Sequence, residues 1–323
     1  MTVRWGVLGA AWIADQAMAA AISAAAGAEL VAVAARDGDR AREFAARHGI
    51  GRAYAGYDSL LADPAIDAVY VALANGAHLP WTLRALDAGK HVLCEKPLGL
   101  TAAEVETMAA AAGRCGRLLV EASWYRWHSR VRRAQEALSA GRIGAVRHVA
   151  AGFTFAGVPA GNYRLDPGCG GGALYDVGCY AISAALWAFG TPPRDVTAKA
   201  RLGPTGVDLT SEVVLRFDGG DAEIRASIEE APRQWLAISG ERGEVELRNE
   251  AFTAWTSTAA ELSVGAERTV LPPEDAYRVM VEEVSAVIGG GAGWVLPLAD
   301  SLATARVIDA ALASAASGAP VAL

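Results

Sequence analysis

Several short stretches of this sequence carry residue types whose spacing could do chemistry. The first is Gly9-Ala10-Ala11-Trp12-Ile13-Ala14, directly after the apolar run Val3 to Leu8. Against the fingerprint G-x-G-x-x-G/A, Gly9 takes the first position, Ala11 stands where the second glycine would be, and Ala14 takes the third. Such a turn brings backbone close to a pyrophosphate, whose charge the free N–H groups at the helix start can bind. Ala is the smallest departure from glycine at position 11. This stretch therefore points to dinucleotide binding, with Gly9, Ala10, Ala11, Trp12 and Ile13 as the contacts.

The residue type about twenty positions further on separates the two nicotinamide dinucleotides: an acid suits a free ribose 2′-hydroxyl, an Arg suits a 2′-phosphate. Here the second apolar run ends Ala35-Arg36-Asp37-Gly38-Asp39-Arg40. Arg36 follows the strand directly and Arg40 lies one helical turn beyond, so NADP is the expected cofactor. Asp37 keeps NAD open.

Two further groups fall at the carboxyl ends of predicted strands, where open α/β sheets bind ligands. One is Asn75 with His78; the other is Glu95-Lys96-Pro97, in which the proline fixes the turn and so orients the side chains before it. Asn75, His78, Glu95 and Lys96 are expected on the cofactor side of the site. Finally, Gly170-Gly171-Gly172 opens a helical pattern in which Asp176 and Tyr180, four apart, share a face. By itself that pattern fits a buried aromatic with an acid in the first helical turn, favoured by the helix dipole.

The elements that must position these residues follow from periodicity. Val3 to Leu8, Glu29 to Ala34, Ala68 to Leu73, His91 to Cys94 and Leu118 to Glu121 read as strands. They alternate with helices over Ile13 to Ala25, Asp39 to His48, Pro80 to Ala88 and Ala102 to Gly113. Strands alternating with helices imply parallel pairing through helical crossovers. After about residue 145 the pattern changes: Val196 to Leu202 and Ala222 to Glu229 alternate apolar and polar with period two, as half-exposed antiparallel strands do. Helices are expected over Ala173 to Phe189, Ala276 to Ile288 and Ala299 to Ser314. The predicted organisation is α/β, with a Rossmann dinucleotide-binding domain over 1–122 and an α/β domain with a large open, mostly antiparallel sheet over 123–323.

Composition excludes several other classes. Of 323 residues 53% are apolar and 20% charged, enough apolar surface to offset the entropy of ordering a chain. Acidic residues outnumber basic ones 36 to 29, the opposite of what binding a polyanion requires. Cys94, Cys115, Cys169 and Cys179 lack the spacing of a disulfide scaffold or zinc site, so no metal and a reducing, cytoplasmic location are expected. The longest uncharged runs, Val177 to Pro193 and Val284 to Ala299, are broken by Gly or Pro and shorter than the ~20 residues that span a bilayer. Residues 1–10 contain one Arg before an apolar stretch and read as a first strand and turn rather than a leader.

Taken together these residues resemble the glucose-fructose oxidoreductase, inositol dehydrogenase and rhizopine-catabolism (Gfo/Idh/MocA) family over nearly the whole chain. The resemblance rests on the glycine turn, Asn75 with His78, Ala88 to Pro97, Glu121 to Arg126, Arg164 to Pro167 with Gly170 to Leu174, Asp176 to Tyr180, and Thr205 to Asp208. Inositol dehydrogenases of the family carry His where this chain has Tyr180. A Tyr there is similar to the branch of glucose-fructose oxidoreductase, NADP-dependent D-xylose dehydrogenase and dimeric dihydrodiol dehydrogenase, and to deoxysugar ketoreductases.

The resemblance implies an NAD(P)-dependent oxidoreductase that moves hydride between nicotinamide and a sugar or diol carbinol carbon. Tyr180 would then be the acid/base, since a phenol of pKa about 10 is brought nearer neutrality by an adjacent ammonium, here Lys96. Asp176 would orient the substrate, completing a catalytic set of Lys96, Asp176 and Tyr180. Trp124, Arg126 and Arg164 join Asp176 and Tyr180 as expected substrate contacts. Trp12, Trp81 and Trp127 also fall near the site loops, where a ring face could stack on a pyranose. Arg126, Arg130, Arg132 and Arg133 have the spacing of a solvated helix face, although an inward Arg126 or Arg164 could bind a nucleotide diphosphate-sugar. Two alternatives follow: an NADPH-dependent ketoreductase of a nucleotide-linked sugar, and a non-catalytic cofactor or sugar sensor. The family also implies a homodimer or homotetramer.

Overall fold

The computed structural model describes residues 1–256 and 259–323, which form two compact units. The first is built on six parallel strands: β1 (Val3–Leu8), β2 (Ala28–Ala35), β3 (Arg52–Ala55), β4 (Ala68–Val71), β5 (His91–Cys94) and β6 (Leu119–Glu121). Their order is β3-β2-β1-β4-β5-β6. The order reverses beside β1, and an open parallel sheet binds its ligand at such a switch point. The central strands are apolar on both faces, β4 being buried at every position, because helices cover both sides of a parallel sheet.

The expected Rossmann alternation is present, with two differences. β3 and the short helix Tyr57–Leu61 were not anticipated. Arg52-Ala-Tyr-Ala is a four-residue edge strand, exposed at three of its positions, so it carries no apolar signature. The helix expected over Ile13 to Ala25 begins with a π-helical turn, Ala14–Met18, before the regular Ala19–Ala24.

The second unit carries nine strands: β7 (Val146–Thr154), β8 (Asp195–Leu202), β9 (Asp208–Arg216), β10 (Asp221–Ser227), β11 (Arg233–Gly240), β12 (Gly243–Arg248), β13 (Ala260–Val264), β14 (Glu267–Leu271) and β15 (Val321–Ala322). Their order is β14-β13-β12-β11-β7-β10-β9-β8-β15, and every pair is antiparallel except β7 with β10. Val149, Ala151, Val213, Leu215, Ile224, Leu236 and Ile238 are buried in one core with Ala181, Ile182, Ala184 and Ala185 of the helix Cys179–Phe189. The stretch Pro167–Phe189 is apolar and long enough to cross a membrane, but it is 78% buried as a core helix of this unit. The opposite sheet face is charged, and its charges pair among themselves: Arg225 bridges Glu212 and Glu230, and Arg201 pairs with Glu229.

The units are not divided by a single cut after residue 122. The helix Ala276–Ile288 belongs to the first unit, where Ser285 Oγ accepts a 3.1 Å hydrogen bond from the Trp5 indole of β1. A sheet face can be covered by a helix from anywhere in the chain, and local periodicity does not reveal which.

Candidate active site

Gly9 is required by its geometry. Its φ is +107°, and a Cβ there would lie 2.4 Å from the Ala72 carbonyl oxygen, so only glycine lets the turn pass so close to β4. Ala14 is fully buried below the turn, while Trp12 is 74% exposed beside it. Asp37 lies outside β2 and caps the helix Gly38–His48, its Oδ1 accepting from the Asp39 N–H at 2.8 Å. The carboxylate that kept NAD open is thus directed at a helix N-terminus. Arg40 donates to the Ala10 carbonyl at 3.0 Å. Burial raises the pKa of the Tyr57 hydroxyl while the Arg36 and Arg40 guanidinium groups beside it pull it down. Arg40 therefore lies at the glycine turn and Arg36 with it beside Tyr57, and among the described residues neither forms an ion pair with a carboxylate. A cradle that excludes Cβ and two adjacent guanidinium groups fit a dinucleotide bearing a 2′-phosphate.

His78 takes a different part from the one expected. It is fully buried, with Nδ1 2.8 Å from the Pro97 carbonyl and Nε2 3.1 Å from the Leu73 carbonyl. Burial pushes its pKa down to about 4, so the ring is neutral, has one N–H to donate, and bonds one of these two carbonyls. Asn75, also buried, begins the short helical turn that leads to His78. Glu95 is 8% exposed; Oε1 accepts the Tyr70 hydroxyl at 2.5 Å and Oε2 accepts the Lys96 backbone N–H at 3.2 Å. Lys96 is half-buried at the sheet edge.

In the second unit Asp176 lies in a π-helical turn, Leu174–Gly178, rather than in regular helix. Arg164 Nε donates to Asp176 Oδ2 at 2.6 Å. The Arg164 pKa is lowered by burial and raised by Asp176, with a further raising contribution from Tyr180, and the net shift is upward. Arg164, Asp176 and Tyr180 thus form one cluster. Tyr180 is 7% exposed, within aromatic packing distance of Tyr125 (5.5 Å), Phe153 (5.7 Å) and Phe252 (5.8 Å). Asp208 caps this turn, accepting from the Leu174 N–H at 2.8 Å and the Ser211 hydroxyl at 2.7 Å. Burial raises the Asp208 pKa.

Other expected contacts have neighbours of their own. Arg126 is buried and ion-paired to Asp300 at 3.2 Å. Trp124 stacks on Tyr277 at 4.3 Å, Trp127 is buried, and Trp81 meets Tyr57 edge-on at 4.7 Å. Arg130 does not lie on a solvated face: it is 1% exposed and donates to the carbonyls of Arg248, Asn249, Glu250 and Ala251. Sequence reasoning missed Tyr70, Phe153 and Phe252, whose only signal was an aromatic in an apolar run.

Comparison with known proteins shows the family. Residues 3–122 match a model described as an oxidoreductase family with an NAD-binding Rossmann fold, and residues 131–246 match the Gfo/Idh/MocA C-terminal domain. The chain is 37% identical over 328 residues to a D-xylose 1-dehydrogenase (NADP(+)) of Haloferax volcanii, covering 99% of this chain and 100% of the relative. It is also 37% identical over 279 residues to the trans-1,2-dihydrobenzene-1,2-diol dehydrogenase of Mus musculus, covering 84% and 81%. Among solved structures it resembles KijD10, a 3-ketoreductase from Actinomadura kijaniata in complex with NADP and TDP-benzene, with a TM-score of 0.91, 32% identity and coverage of 97% and 98%. Solved variants of that enzyme include a Tyr-to-Phe and a Lys-to-Ala replacement. The two replaced residues are as far apart along its chain as Lys96 and Tyr180 are here. The chain is an oxidoreductase of the Gfo/Idh/MocA family.

Proposed function

We propose that this enzyme transfers hydride between NADP and a carbinol carbon of a free sugar or diol, with Tyr180 as the acid/base. The observation that carries the reading is the Arg164–Asp176 pair at 2.6 Å, which sets a guanidinium near Tyr180 within an aromatic surround. An alcohol oxidised by hydride loss must also release its O–H proton. Tyr180 as phenolate accepts that proton, and as phenol returns it in the reverse direction. Arg164 favours the phenolate, and the aromatic neighbours strengthen this attraction by displacing water. Lys96 is read as a second cation that hydrogen-bonds the substrate oxygen. Asp176, held by Arg164, accepts from a neighbouring substrate hydroxyl and fixes its orientation. NADP, when bound, accepts or supplies the hydride. Gly9, Ala10, Ala11, Trp12, Ile13, Asn75 and Glu95 lie on the loops that would hold it, with Arg36 and Arg40 at its 2′-phosphate.

The NADP-bound 3-ketoreductase keeps a nucleotide-linked sugar as the second reading. Against it, Arg126 and Arg164, the residues suited to a diphosphate, are each ion-paired with a carboxylate. The enzymatic names of the relatives weigh against a sensor. The charged sheet face and the family resemblance support a homodimer or homotetramer, which light scattering would test.

The deciding experiment is NADP⁺ reduction over a panel of free aldoses and a trans-dihydrodiol, with NAD⁺ as control. Turnover faster with NADP⁺ is expected. Binding of NADPH without turnover of any free sugar or diol would overturn the reading in favour of the nucleotide-linked substrate.

A further inference from the structure

Tyr70 is fully buried on β4, and the proposed chemistry makes no use of it. Its hydroxyl donates to Glu95 Oε1 at 2.5 Å, while Oε2 of the same carboxylate accepts the Lys96 backbone N–H at 3.2 Å. A carboxylate with so little access to water stays ionised only where donors replace the lost solvent. Two such donors are the Tyr70 phenol and a backbone amide, and the amide belongs to Lys96 itself.

The groups around this pair come from four elements. Cys94 precedes Glu95 on β5; Glu121 of β6 pairs in register with Cys94; Tyr277 of the helix Ala276–Ile288 acts electrostatically on Tyr70; Lys96 follows in the loop. Burial first, then the charge of Glu95, raise the Tyr70 pKa well above the ordinary phenol value. Tyr70 is therefore a permanent donor at working pH.

We propose that Tyr70 is a positioning residue for the reaction: its hydroxyl holds the Glu95 carboxylate, which in turn fixes the backbone of Lys96. The inference rests on the reading of Lys96 in the proposed function. Replacing Tyr70 by Phe keeps the ring but removes the donor, leaving a buried carboxylate oxygen short of a hydrogen bond. The Glu95 side chain is then no longer held in place, and Lys96 loses both a fixed acceptor for its N–H and an anion held one residue away, so its ammonium is less favoured.

The chain has only three lysines, Lys90, Lys96 and Lys199, which permits a direct readout. The NADPH-loaded protein is acylated with an amine-reactive ester across a pH series, and each lysine is followed by peptide mass spectrometry, with exposed Lys199 as internal reference. In Tyr70→Phe the midpoint for Lys96 is expected to fall by about one pH unit, with kcat down about tenfold and KM for NADPH unchanged. Glu95→Gln alone is expected to reproduce the shift, and Tyr70→Phe to add nothing in that background. A lowered melting temperature with the Lys96 midpoint unchanged would make Tyr70 merely a core residue, and additive effects in the double variant would exclude action through Glu95. Should Tyr70→Phe fail to fold, an unaltered Lys96 midpoint in Glu95→Gln overturns the proposal equally. Full kcat in Lys96→Ala would instead refute the reading of Lys96 while leaving the labelling result intact.

Discussion

The Leu174 N–H and the Asp208 carboxylate, 34 residues apart in sequence, are joined by a 2.8 Å hydrogen bond at the start of the helix that carries Asp176 and Tyr180. Gly172 makes this contact possible: its φ is +123°, and a Cβ there would lie 2.0 Å from Asp208 Oδ1. One carboxylate on β9 thus anchors the turn that leads into Asp176 and Tyr180. Asp208→Ala should cost about 1–2 kcal/mol, the usual loss for an N-cap, measured by urea denaturation. Gly172→Ala should cost at least as much, because strain at positive φ adds to the clash. If both unfold at the wild-type urea midpoint, the anchor contributes nothing.

His78 sets a pH dependence whose direction can be worked out. Its pKa is about 4 in the folded chain against 6.5 for the free side chain, so the native state binds fewer protons across that interval. Stability is complete above pH 6.5 and is lost as the pH falls from 6.5 towards 4, by on the order of 3 kcal/mol at most. His128, also lowered to about 4 by burial, acts in the same window. Melting temperature followed from pH 7 to 4.5 should therefore fall less steeply in His78→Gln than in the wild type. Parallel curves would show that His78 titrates in the fold as it does in the unfolded chain, and a steeper fall in His78→Gln would show that the fold favours its protonated form.

Arg36 and Arg40, the arginines that follow β2, predict cofactor selectivity. Charge-assisted hydrogen bonds to a phosphate are each worth about 1.5–3 kcal/mol. Arg36→Ala with Arg40→Ala should raise the Kd for NADPH by about a hundredfold or more while leaving that for NADH within about threefold. Isothermal titration separates the outcomes: equal weakening for both dinucleotides would mean that the arginines shape the turn rather than read the 2′-phosphate.

How much of this was legible beforehand depended on whether the information was local. The strand-turn-helix at Gly9, the arginines after β2 and the Glu95-Lys96-Pro97 edge are contiguous, and periodicity with a glycine constraint suffices to place them. Arg130 looked solvated because three other arginines flank it, whereas its burial depends on four carbonyls more than a hundred residues away. The helix Ala276–Ile288 has an ordinary amphipathic pattern that is silent about which sheet it covers. The role of His78 was misplaced for a related reason: a histidine at a sheet edge and one bonded to a loop carbonyl beneath it have the same sequence context. Asp208 was noticed only through resemblance, because an acid that caps a helix from a distant strand leaves no spacing rule.

The reading of Tyr180 makes the sharpest demand. Tyr180→Phe keeps the ring among Tyr125, Phe153 and Phe252 but removes the hydroxyl proposed to take the substrate proton, so kcat should fall by about a hundredfold to ten-thousandfold. The Kd for NADPH should hold, since no cofactor contact is assigned to that hydroxyl. Asp176→Asn has a different signature. It leaves the half-buried Arg164 guanidinium without the anion it is bonded to, so KM for the sugar or diol should rise together with a smaller loss in kcat. The guanidinium, no longer neutralised, stabilises the Tyr180 phenolate more strongly and should move the basic rise of the pH–rate profile to lower pH. Stopped-flow hydride transfer on both variants, with NADPH binding measured alongside, decides the matter. Loss of NADPH binding together with turnover in Tyr180→Phe would make the ring a structural element, and a pH profile unmoved in Asp176→Asn would remove Arg164 from the tuning of the phenol.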